Sequence, residues 1–259
     1  MNLLGVSLAS VNCYDEAEVV YKEALVLFSS IDGNENPEST ASVLNNLGEL
    51  ENARGQPDKA KEWLMQCLLI RRRTLPPDHP LIATTMDNLA KALAATGLFC
   101  QSNSLFDQAL EIRTRILGSD HPETNNTRVN WGTVLFNKKK YSKSFQLFKK
   151  AWQADSLRFG PEHFYTIADA VTCLACCREE ASLFAQKGIH KSALKSLKAA
   201  HVLACRLVED SKKSSEDVKE QVARSMKKLS LQATKSGEIA LANAFHDLAD
   251  SLATSSFVH

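Results

Sequence analysis

Six stretches of the chain share one arrangement of small and large residues. A small residue is followed by larger ones three and four positions on, and by a second small one at seven. They are Ala17/Val20/Tyr21/Ala24, Ala60/Trp63/Leu64/Cys67, Ser102/Leu105/Phe106/Ala109, Ser144/Leu147/Phe148/Ala151, Ala193/Ser196/Leu197/Ala200 and Ala242/Phe245/His246/Ala249. A 3-4-7 spacing marks one face of a helix, and small residues at both ends of that face let a second helix approach closely. Five residues ahead of the first small position stands a turn residue: Asn12, Gly55, Gly97, Lys139, Gly188 or Gly237. Glycine there accepts a left-handed backbone without penalty and ends helices for that reason. Eight residues further upstream is an apolar anchor: Leu4, Leu47, Leu89, Trp131, then Cys173 after seven inserted residues, and Leu229. The pattern therefore predicts a helix A, a tight turn and a helix B in every unit.

The units start 43, 42, 42, 49 and 49 residues apart. Seven residues are almost two helical turns, so helix A of the fourth complete unit, from Tyr165 to Gln186, can lengthen without rotating its buried face. The last jump is expected in the polar segment Glu209 to Asp217. The turn GSDHPETNNT (Gly118–Thr127) has relatives 42 residues away on both sides, which sets His79, His121 and His163 in one register. Asp120 and Pro122 suit a helix start, by side-chain capping and a preset backbone angle, and the intervening His is expected to bond locally or pack on the loop. Catalysis or metal binding would need convergent partners, which a 42-residue spacing does not supply.

Helix pairs with this skeleton resemble tetratricopeptide repeats. The stretches NNLGELENARGQPDKAKEWLMQCLLIR and QALEIRTRILGSDHPETNNT are similar to the repeats of kinesin light chains and the nephrocystin-like proteins, over about residues 39–165. Pattern and resemblance together imply an all-α, right-handed superhelical solenoid of about five to six antiparallel helix pairs. Residues 1–259 are read as a single repeat array. Its units fall at approximately 1–30 (a truncated first repeat), 39–73, 81–116, 123–158, 165–209 and 216–253, the last a C-terminal cap. Kinesin light chains carry an N-terminal heptad region for the motor heavy chain. No such region precedes these repeats, so motor attachment is not carried over.

Composition narrows the function classes. The 259 residues are 44% hydrophobic and 24% charged, with few Gly and Pro, as suits a folded helical protein. A formal charge of +1 gives no general pull toward nucleic acid or anionic membrane. No apolar run approaches the ~18 residues of a membrane span, and MNLLGVSLAS lacks the basic start of a signal peptide. Seven Cys, mostly within helical patterns, fit a reducing compartment, and the cytoplasm is the expected location.

Candidate chemistry is sparse. Cys173 and Cys176 have a C-x-x-C spacing, but mid-helix and without a second ligand pair, so core packing is expected. Arg71–Arg73 at a helix C-terminus and Lys138–Lys140 in a turn read as solvated charge. No phosphate loop, catalytic carboxylate pair or nucleophile signature occurs. The expectation is a protein that is not an enzyme, with no cofactor, metal site or small-molecule substrate.

The remaining surface is the side that the A helices line. The position before each anchor reads Asn46, Asn88 and Asn130, then Thr172, with Glu49 and Lys91 three residues on and Ser42, Thr84 and Asn126 one turn back. An Asn amide can donate to and accept from an extended backbone. The candidate groove is accordingly Asn46, Asn88, Asn130, Asn45, Asp87, Lys91, Asn126 and Glu49, and the partner a protein or peptide. The alternative is that these Asn residues brace neighbouring repeats. In kinesin light chains the equivalent stripe helps hold cargo, which the resemblance implies here. Lys91 and Arg128 favour an acidic partner segment. A second functional reading is an assembly region of a larger signalling or ciliary protein, packed against its own chain or a partner subunit. The ends are read as unequal: Ala240–Leu252 as a polar cap carrying His246 and Asp250, and the first repeat as leaving Val20, Leu25 and Phe28 poorly covered, so that another segment is expected there.

Overall fold

The computed structural model describes residues 2–30, 37–161, 163–187, 189, 192–193, 195–200, 202, 216–235 and 237–254. Among them lie α1 (Asn2–Ser10), α2 (Tyr14–Ser30), α3 (Pro37–Ala53), α4 (Pro57–Thr74), α5 (Pro80–Ala95), α6 (Phe99–Leu117), α7 (Pro122–Asn137), α8 (Tyr141–Phe159), α9 (Phe164–Gln186), α10 (Glu216–Lys235) and α11 (Ile239–Thr254). Residues 195–200 are helical as well. The described residues contain no strand, so the fold is all-α, in repeated helix pairs. The chain divides into two compact units, residues 1–130 and 131–259, with the boundary inside α7. Gly188, and residues 209–215 of the expected polar linker, lie outside the described residues.

The turns follow from local sterics. Gly55, Gly97 and Gly237 have φ of 73°, 86° and 78°, and Asn12 and Lys139 take the same left-handed backbone at 62° and 59°. Each is a turn position of the sequence pattern, and the two non-Gly residues hold a conformation that L side chains adopt at a cost.

Inside each pair the close approach is encoded just after the anchor. In the first unit a Cβ on Gly5 would stand 2.4 Å from the Tyr21 ring, and one on Gly48 2.3 Å from Leu64 Cγ. In the second, a Cβ on Gly132 would stand 2.8 Å from Phe148. The small residues of helix B add a hydrogen bond: Ser102 Oγ donates to the Ala90 carbonyl and Ser144 Oγ to that of Gly132, both at 2.8 Å.

The residue that starts the A helices is the histidine. His79 is the N-cap of α5, and its Nδ1 accepts the Leu81 N–H at 3.2 Å. His121 Nδ1 does the same for Glu123 at 3.2 Å, and His163 Nδ1 for Tyr165 at 3.3 Å. The imidazole thus satisfies an orphan N–H of the first turn while Pro80 and Pro122 supply the preset angle. Asp120, expected to cap, is exposed.

Within the first unit, α1 is short at 9 residues against 17 for α3. Leu25 and Phe28 are nevertheless packed against the core of Tyr21, Val43, Leu47 and Leu50. The uncovered apolar residues of α2 are Val19, Val26 and Leu27, on its outer side. In the second unit, α11 buries Ala242, Phe245 and Ala249 and turns His246 and Asp250 outward, where Nε2 and Oδ2 lie 3.4 Å apart. The side chains of residues 251 and 252 lie outside the described residues.

Candidate interaction face

In the first unit α1 lies against α3 and α3 against α5, so the A helices form a row. The residue before an anchor sits about 100° from the anchor's direction, on the flank that meets the neighbouring A helix. This geometry divides the eight sequence candidates. Asn88 is 5% exposed and its Nδ2 donates to Asn45 Oδ1 at 3.4 Å, while Asn52 Nδ2 donates to the Asn88 carbonyl at 3.1 Å. Asn130 Nδ2 donates to Asp87 Oδ2 at 2.7 Å. Asn45, Asp87, Asn88 and Asn130 therefore form two braces between successive repeats. Asn88 does not stand on open surface, because its flank is closed by the next A helix. Asn46 is half-buried at the edge of the row, and Glu49 and Asn126 are exposed.

The cations expected to favour an acidic segment are largely engaged. Lys91 Nζ stands 3.9 Å from Asp87 Oδ2. Arg128 is buried, donating to the Ser119 carbonyl at 2.7 Å and to Ser119 Oγ at 2.8 Å. Burial raises the Asp87 carboxyl above its ordinary pKa, against the opposing charges of Lys91 and Arg113.

Arg71 departs from the expectation of solvated charge: Arg72 and Arg73 are exposed, but Arg71 is only 2% exposed. Its guanidinium donates to Glu38 Oε1 (2.8 Å), Thr85 Oγ1 (2.8 Å) and the Leu81 carbonyl (3.0 Å). Forty-two residues on, Arg113 repeats the arrangement with Thr127, the Glu123 carbonyl (3.0 Å) and Thr84 (3.0 Å). The planar fork ties the end of one helix B to the next helix A. The shared spacing of Arg71/Thr85 and Arg113/Thr127 signalled this clasp, but the triple-Arg run obscured it. The next copy reads Asp155 and Asp169. Asp169 is 7% exposed, and its Oδ2 has no hydrogen-bond partner among the described residues. Burial, with the charge of Asp155 adding, pushes its carboxyl up to about 7.

Cys173, Cys176 and Cys177 are buried in α9, and burial pushes the Cys176 and Cys177 thiols up to about 11 and about 12. These are packed thiols, poor in the thiolate that metal binding and redox chemistry use. A cleft of about 310 Å³ opens along the A-helix row, between α1, α2 and α3, lined by Val6, Ala9, Ser10, Tyr14, Tyr21, Asn46, Glu49, Leu50 and Ala53.

Helix pairs in this register define a class. Residues 39–115 match the Tetratricopeptide repeat family, and the described helix pairs have the fold of such repeats. Among solved structures, the chain is similar to a Podosopora anserina protein described as a kinesin light chain with nearly identical TPR-like repeats. The identity is 18% over 87% of this chain and 100% of that one, with a TM-score of 0.63. It is also similar to BtubC (BKLC) from P. vanneervenii, at 14% identity over 95% and 92% and a TM-score of 0.61. A third is a Rap protein complexed with competence and sporulation factor, at 11% identity over 97% and 74% and a TM-score of 0.55. At these identities the likeness is one of fold. No curated protein matches the chain.

Proposed function

We propose that the protein is a non-catalytic interaction scaffold that holds an extended segment of a partner protein along the row of α1, α3 and α5. The carrying observation is the cleft on that row, where Asn46 and Glu49 stand beside an apolar floor of Leu50 and Tyr21. A repeat array presents such a surface without bond-making chemistry. The family supports the interaction role, and the Rap protein, similar in fold, is one that occurs in complex with a named factor. Kinesin-light-chain-like cargo or adaptor binding is the corresponding finer reading. Asn88 and Asn130 act in it as braces that hold the row rigid, and Asn46, Glu49, Lys91 and Asn126 meet the partner. Of the cations first expected to attract an acidic segment, only half-exposed Lys91 remains to do so. The buried thiols Cys173, Cys176 and Cys177 suit a reducing compartment, and the cytoplasm is part of the reading.

A peptide array probed with the purified full chain tests this. Captured peptides should lose affinity to an Asn46→Ala variant that keeps the wild-type melting temperature. Absence of any captured peptide, or undiminished binding by that variant, refutes it. The assembly reading draws on the exposed Val19, Val26 and Leu27 of α2. It predicts self-association, relieved by substituting those three with Ser, and no peptide capture.

A further inference from the structure

Three features in the α1–α3 cleft converge on the chemistry of what enters it. The first is shape: Val6, Ala9, Tyr14 and Leu50 give apolar walls to a cleft of about 310 Å³. Such walls suit a long aliphatic or aromatic stem.

The second is charge. Glu49 is exposed at the cleft and makes no ion pair with any described residue. Its negative charge reaches the floor, where it acts together with burial to raise the Tyr21 phenol. The third is what surrounds the cleft. Among the described residues no Lys or Arg lines it. The nearby Arg54 of α3 is spent on Asp15 (2.6 Å), Glu18 and Glu51 (3.5 Å), and Lys22 on Glu18 (2.6 Å). Both cations are therefore matched by carboxylates, and Lys91, one repeat on, stands 3.9 Å from Asp87 Oδ2.

Resting on the scaffold reading above, we propose that this cleft takes a lysine or arginine side chain of the bound segment, its methylenes against Val6 and Leu50 and its charge at Glu49. The partner segment thus carries a basic residue where it crosses the first two repeats. An acidic side chain there would face Glu49 across an apolar cleft, with no available cation.

The test uses the full chain and the peptides it captures from an array, each remade with the cleft position as Lys, norleucine, diaminopropionic acid or Glu. Lys should bind tightest. Norleucine lacks the charge and diaminopropionic acid lacks the stem, so each should fall by about three- to tenfold, the range an exposed ion pair or a few buried methylenes spans. Glu49→Gln should remove the preference for Lys over norleucine, and Glu49→Lys should reverse it in favour of Glu. Glu49 is exposed, so both variants should fold, and Glu23→Gln on the far side of α2 serves as the charge control. Captured peptides that prefer Glu at every position, or that ignore Glu49→Gln, overturn the cleft assignment while leaving the scaffold reading standing. An array that captures nothing refutes the scaffold reading and this one with it.

Discussion

Replacing Asp169 with Asn should stabilise the protein, and by an amount that grows with pH. The native carboxyl is pushed from its ordinary 3.8 to about 7, a difference of about three pH units at about 1.4 kcal/mol each. Ionising it in place therefore costs up to about 4 kcal/mol, and burial leaves little solvent screening to reduce that figure. The sign follows from the direction of the shift. A group held above its unfolded pKa gives its stabilisation in full below about pH 4 and loses it as pH rises to about 7. Asn cannot ionise, so the variant and the parent should nearly coincide at about pH 4. At pH 8 they should differ by about 2–4 kcal/mol in the variant's favour. Urea unfolding followed by helical circular dichroism across that range measures the difference, and subtraction cancels the carboxylates common to both proteins. Asp155→Asn should act in the same direction but less, since its charge is second to burial among the causes. A difference curve flat from pH 4 to 8, or one with the parent gaining stability as pH rises, would refute the reasoning.

Other outcomes follow from the same contacts. Arg113→Ala should cost about 3 kcal/mol, and Arg113→Lys should recover little, because one ammonium cannot serve Thr84, Thr127 and the Glu123 carbonyl together; denaturant midpoints decide this. Lys139→Gly should raise stability by about 0.5–1 kcal/mol by relieving the left-handed backbone at φ 59°, with no gain in melting temperature counting against it. His121→Ala should lower stability by about 0.5–2 kcal/mol through the lost cap. His121→Asn should keep most of it, and equal losses in the two variants would show that the cap is not what the histidine contributes.

The helix pairs were legible because their causes are local and repeated. Leu47, Leu89, Gly55 and Gly97 carry the same steric meaning in each copy, and even Asn12 and Lys139 betrayed their left-handed backbone by register alone. The candidate face was legible only in part. Asn88 and Asn130 share a register, but the atoms they meet belong to Asn45 and Asp87, which differ. Periodicity reports which way a residue points along its own helix, not what stands opposite. The neighbouring A helix, absent from a one-helix projection, turns that flank from surface into interface. The histidine was legible in part: a local bond was expected of it, but the capping role was assigned to Asp120. Asp is the more frequent cap, yet it is His121 Nδ1 that accepts the Glu123 N–H.

The break in the period at Asp155 and Asp169 says most about how this array divides its labour. In an array, stability is close to a sum of nearest-neighbour terms, so a costly junction loosens its own neighbourhood rather than the whole. In the first unit guanidinium clasps at Arg71 and Arg113 tie each helix B to the next helix A. In the second, the junction of α8 and α9 holds a carboxyl that must ionise near neutrality without a partner for Oδ2. From about pH 5.5 to 8, amide protection in α8 and α9, taken relative to the intrinsic exchange rate at each pH, should fall in the parent and not in Asp169→Asn. Protection that falls equally in both proteins would mean that something other than this carboxyl loosens the junction.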